Sequence, residues 1–138
     1  MSKVIDFNKK INEIINNTNL DGALKMVREK KNNSLILTLK NNCFVGEEIC
    51  LIAEEACRYE NIEFLKWILL NHDEVLYYYP CEILDIAINS FNCDLLKLVL
   101  EAYDKEYSPI IKYKETYERV AVNNKIDVID LLRKYKVI

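Results

Sequence analysis

Apolar positions recur along this chain at i, i+3 and i+4, the spacing of a helix's buried stripe, and short polar breaks interrupt them. Three stretches fall into register: Ile52–Leu70, Ile83–Glu101 and Thr116–Lys134. Aligned on Ala56, Ala87 and Val120, they repeat at nearly equal intervals along the chain. Six positions after each anchor stands Ile62, Cys93 or Ile126, followed at once by Glu63, Asp94 or Asp127. Each unit therefore reads as helix, short break, helix, with an acidic residue at the positive end of the second helix dipole. The breaks are Arg58–Asn61, Asn89–Asn92 and Asn123–Lys125, and asparagine there suits both a left-handed residue and the cap of the next helix. A weaker copy, Ile14–Arg28, is anchored on Ile14, and its interval to Ala56 is longer than the later ones. Within that interval, Ser34–Lys40 alternates weakly and reads as a short strand or an extra helix.

The anchor pairs Ala56-Cys57, Ala87-Ile88 and Val120-Ala121, each followed by a polar break and an apolar-acidic helix start, resemble the ankyrin repeat. Units of that family run to about 33 residues, in keeping with the intervals between anchors. The likeness covers residues 47–138 well and 8–34 poorly. The Thr-Pro-Leu-His opening is absent from every unit, and the glycine usual between the two helices is missing from the three later ones. The resemblance implies an all-α stack of about four helical hairpins in a single domain, with units near 8–45, 46–80, 81–113 and 114–138. It also implies a protein-binding face formed by the first helices and by the fingers between units. On that face fall the residues just past each anchor: Arg58, Tyr59, Asn89, Ser90, Phe91, Asn123 and Asn124. The finger between the second and third units would carry Tyr77, Tyr78 and Tyr79. Trp67, Leu96 and Leu131, on second helices, are expected to hold units together.

Composition narrows the function further. Two glycines and two prolines in 138 residues are too few for the tight turns of a strand-rich fold or for a phosphate-cradling loop. Net charge is −3, with 19 basic and 22 acidic residues well mixed, so no basic footprint for nucleic acid or for a membrane surface is expected. The charged start Met1–Asp6 lacks a signal peptide's apolar stretch, so a cytoplasmic location is expected. Asn, Lys and Ile number 15, 15 and 17, which suggests an AT-rich genome.

Candidate chemistry is sparse. Cys50 and Cys57 lie seven apart on one face of a helix, and all five cysteines are expected as thiols acting largely as small core residues. Glu47, Glu48, Glu54 and Glu55 read as a solvated helix face rather than an acid–base pair. The single histidine, His72, follows an apolar helix and reads as a cap at its negative end. No metal-ligand or nucleophile motif is present, so no cofactor, no metal and no enzymatic activity are expected. The expectation is a stand-alone module that occupies a partner protein, as an inhibitor, an immunity-type neutraliser or a viral or parasite binder of a host factor. It would act as a monomer or weak homodimer. The alternatives are a small helical enzyme or metal protein using Glu, Cys and His residues, and a self-associating structural subunit.

Overall fold

A computed structural model of the chain describes residues 19–76, 82–104 and 126–135. These residues form α1 (Leu20–Arg28), α2 (Asn32–Asn41), α3 (Gly46–Arg58), α4 (Ile62–Asn71), α5 (Ile83–Ser90), α6 (Cys93–Asp104) and α7 (Ile126–Lys134), with one 3₁₀ turn, Asp73–Leu76, after α4. There is no strand among the described residues. The segment 34–40 is helix. Its alternating leucines, 35, 37 and 39, compete with a helical stripe of Leu35, Thr38 and Leu39, and the helical stripe is the one that is buried. Leu37 is left 47% exposed, while Thr38 Oγ1 donates back to the Ser34 carbonyl at 2.8 Å.

Consecutive helices pair as hairpins, α1 with α2, α3 with α4 and α5 with α6, and the hairpins pack side by side. The first helices α1, α3 and α5 touch in succession, and so do α4, α6 and α7. Between them lies one core. The first helices contribute small and β-branched side chains, among them Ala23, Val27, Ile52, Ala53, Ala56 and Ala87, which let backbones approach closely. The second helices add Phe64, Leu65, Ile68, Leu95, Leu96 and Leu132. Leu96 is fully buried, whereas Trp67 and Leu131 are half-buried against the core's edge.

This pairing corrects the sequence register at the start of the chain. The copy anchored on Ile14 treats Leu20–Arg28 as a second helix, but that segment is a first helix packed on α3. Of the strand and extra helix expected over Ser34–Lys40, the helix is present, as α2, the second helix of the same hairpin. The joints give the true spacing. Each of the three described hairpins bends at one residue with positive φ, and these residues are evenly spaced: Lys30 (56°), Glu60 (53°) and Phe91 (56°).

The first two joints are Schellman-type helix ends. The Lys31 and Asn61 N–H groups donate to the Met26 and Ala56 carbonyls, five residues back, at 3.0 and 2.8 Å. The left-handed position is not held by asparagine, which the sequence pattern suggests for it. Lys30, Glu60 and Phe91, without glycine's freedom, take that position at a cost of about 1 kcal/mol each. The asparagines instead cap the following helix, Asn61 Oδ1 accepting from Phe64 N at 3.3 Å and Asn92 Oδ1 from Leu95 N at 3.1 Å.

Each capping amide also reaches back to the preceding hairpin. Asn92 Nδ2 donates to Glu60 Oε1 at 2.8 Å on the surface. Asn61 is buried, and its Nδ2 donates to the Val27 carbonyl at 3.1 Å and to Asn32 Oδ1 at 2.8 Å. Asn32 Nδ2 returns a bond to Asn61 Oδ1 at 3.2 Å. Asn61→Ala is expected to lower stability by about 2–4 kcal/mol, because it strands a buried carbonyl, a buried amide and a helix N–H together. Asn92→Ala, at the surface, should cost about 1 kcal/mol. Lys30→Gly should hold or raise the melting temperature, since glycine relieves the positive φ. Urea melts of the three variants check all three outcomes.

Candidate protein-binding face

The expected site residues that are described lie at the C-terminal ends of α3 and α5, where each helix turns into its joint. Arg58 is the last residue of α3, and Tyr59 follows it, 49% exposed. Leu51, two turns earlier on the same face, is 41% exposed. The corresponding end of α5 is more closed. Asn89 Nδ2 donates to the Asp85 carbonyl at 2.9 Å, and Ser90 Oγ donates to the Ala87 carbonyl at 2.6 Å. Ser90 Oγ also accepts from Asn92 N, so its hydroxyl serves the joint. Phe91 is half-buried and packs against the core. Tyr77, Tyr78, Tyr79, Asn123 and Asn124 lie outside the described residues.

The carboxylates of α3 depart from the expected solvated face. Glu47 is exposed, and Glu48 reaches back so that Oε1 accepts from Val45 N at 3.0 Å. Glu54, however, is buried, and Glu55 retains only 14% of its side-chain exposure. The reason is the neighbouring hairpins. Glu54 Oε1 accepts the Glu82 N–H at 3.0 Å, from the residue leading into α5. Arg28 Nη1, from α1, donates to Glu55 Oε2 at 2.8 Å. Carboxylates with such partners can leave water. Arg58 runs alongside at ion-pair distance only, 3.9 Å from Glu54 and 3.8 Å from Glu55, with its side chain 52% exposed. Sequence reading missed Arg28 and Asn32, and it gave Asn61 only as a cap of the next helix. That capping role was legible because Asn92 stands at the same point of the next unit, whereas the bonds to Asn32 and Val27 were not.

His72 caps α4 through its backbone, donating to the Ile68 carbonyl at 2.7 Å, while its ring lies 3.2 Å from Glu74 and beside Trp67. Between α6 and α7 an open cleft of about 350 Å³ is lined by side chains of both signs, Asp94, Lys97, Asp127, Asp130 and Lys134 among them. No group of three or more His, Cys, Asp or Glu side chains with a metal-binding arrangement occurs among the described residues. No helix among them is long and apolar enough to cross a membrane. Comparison of the chain with known protein families, with curated proteins and with solved structures finds no match.

The cysteines overturn one expectation. Cys50 is disulfide-bonded, while Cys43, Cys57 and Cys93 are not in disulfides. Spacing along one helix shows that Cys50 and Cys57 share a face, but it carries no information about which thiols are bridged. Cys57 is fully buried under the candidate face. Burial pushes its thiol well above the ordinary range, the nearby Glu54 charge adds to this, and Arg58 opposes it.

Two consequences are measurable. Iodoacetamide should modify exposed Cys43 in the native protein and leave Cys57 untouched until unfolding, and the unfolded, unreduced chain should titrate three thiols instead of all five. The raised thiol also links folding to pH: its contribution is complete below the unfolded thiol's pKa and falls as pH rises above it, because only the unfolded chain then releases that proton. Denaturant midpoints should therefore decline on the alkaline side, and less steeply for Cys57→Ala.

Proposed function

We propose that this chain is a divergent ankyrin-type repeat module that works by binding and occupying another protein. The observation that carries the reading is the Leu51, Arg58 and Tyr59 group on α3, the middle helix of the first-helix row. There, an arginine and a tyrosine stand half-exposed next to an exposed leucine on a well-buried scaffold. Tyrosine and arginine supply large contact area with hydrogen-bonding tips, and truncating them at interfaces commonly costs about 2 kcal/mol or more. The even spacing of the joints at Lys30, Glu60 and Phe91 supports the ankyrin part of the reading.

A second reading, self-association, is favoured by one observation. Leu70 and Leu37 on the second helices stand 79% and 47% exposed. Sedimentation at two concentrations separates the readings, because only self-association predicts a mass that grows with concentration.

The proposed role predicts a separation of binding from stability. Arg58→Ala and Tyr59→Ala should shift unfolding by no more than about 0.5 kcal/mol, as surface changes do, and should release a partner captured from the native host. Leu96→Ala should cost about 2–5 kcal/mol, because it opens a cavity at the packed joint between hairpins. Loss of stability in the first two variants, or retention of the partner by both, would remove the α3 group from the binding face.

A further inference from the structure

Resting on the protein-binding reading, we propose that Arg58 is the receptor for a carboxylate brought by a partner segment, with Leu51 and Ile86 receiving an apolar side chain beside it. Two joints of the same molecule differ in the side chain that answers their arginine. Arg28 and Arg58 occupy one register position, each two residues before its left-handed residue, Lys30 or Glu60. Arg28 has a carboxylate across the joint: Glu55, on the next first helix, takes its guanidinium at 2.8 Å. One unit on, the residue in Glu55's position is Ile86, five before Phe91 as Glu55 is five before Glu60. At Arg58's joint the equivalent position on the next first helix thus holds a half-buried isoleucine, where the previous joint holds an anion.

On its own helix Arg58 pairs with Glu54 Oε2 at 3.9 Å and Glu55 Oε1 at 3.8 Å, both longer than a hydrogen bond, while the other oxygen of each carboxylate is held by the Glu82 N–H or by Arg28. A guanidinium carries five donors in a planar fork that matches a carboxylate in a two-point contact. The molecule already pairs arginine with a carboxylate one joint away. The surroundings add the rest of the chemistry: Leu51 is 41% exposed on Arg58's own face, and Ile86 holds on the next first helix the position equivalent to Glu55's. The fitting occupant is a peptide segment of another protein with Asp or Glu adjacent to a large apolar residue. A neutral or basic segment would leave Arg58 as it is.

The test uses a phage-displayed random peptide library selected on the full chain, with circular dichroism confirming that each variant is folded. Selected peptides should carry Asp or Glu next to an apolar residue. Replacing that acid by its amide in a synthetic peptide should weaken binding about tenfold or more, as should Arg58→Gln in the protein. Arg58→Glu should shift the selection to Lys or Arg. Ile86→Glu restores the carboxylate of the previous joint from within, so it should abolish the acidic preference while keeping or raising the melting temperature. This second variant decides the matter if Arg58→Glu does not fold.

Peptides that bind but lack an acid, or whose acid is indifferent to Arg58→Gln and Ile86→Glu, overturn the carboxylate assignment and leave the protein-binding reading standing. Absence of any selected peptide overturns the assignment and counts against that reading as well. An Arg58-dependent dimer of the chain alone in sedimentation would make the occupant a second copy, contrary to the proposal.

Discussion

The buried amide of Asn61 is the interaction on which the arrangement of hairpins turns. Its carbonyl holds the start of α4 and accepts from Asn32, while its amino group reaches the Val27 carbonyl and the Asn32 oxygen. Every donor and acceptor of the side chain is thus engaged, and three helices, α1, α2 and α4, are tied to one point. In a low-dielectric interior such bonds are strong, and an unmatched one is costly, so the network permits a single register between the first two hairpins. Apolar contacts alone would tolerate a small slide along the helix axes. The amide does not.

That constraint offsets a weakness in the joints. A helix that ends on a left-handed residue is best served by glycine, and the chain has only two, neither of them there. Lys30, Glu60 and Phe91 take the strained position instead, and at the last two joints an asparagine cap stabilises the start of the next helix. Among the described residues no buried side-chain nitrogen or oxygen lacks a hydrogen-bond partner, so the deficit at the joints is not compounded by stranded polar groups.

With joints and core held in common, differences between units are free to appear on the surface. Arg28 and Arg58 occupy equivalent places, yet only the first meets a carboxylate on the next helix, because Glu55 is answered by Ile86 one unit on. Successive hairpins bring equivalent positions to one side of the structure, so exchanging a single side chain alters the surface there while the packed core stays the same. The buried Glu54 shows the opposite case, a charge drawn into the structure because the neighbouring backbone offers it an N–H.

The helical class and the hairpin rhythm after residue 47 were legible in the chain, because amphipathic spacing is a local property and the anchors at Ala56 and Ala87 repeat it. The acidic helix starts, the core roles of Ala56, Ala87 and Leu96, and the burial of Cys57 could be read the same way. The register of the first hairpin could not. Leu35, Leu37 and Leu39 satisfy a strand and a helix nearly equally, and packing α2 against α1 is what selects Leu35 and Leu39 and exposes Leu37. Nor could the sequence disclose that Glu54 is buried and Glu55 half-buried, that Cys50 is bridged or that Asn61 is the hub. Each depends on a partner in a neighbouring hairpin or outside the helix itself, and local periodicity is silent about distant partners. What the sequence by itself determined was which faces must be buried. Which neighbour buries them, and so which charges stay at the surface, was decided only when the hairpins met.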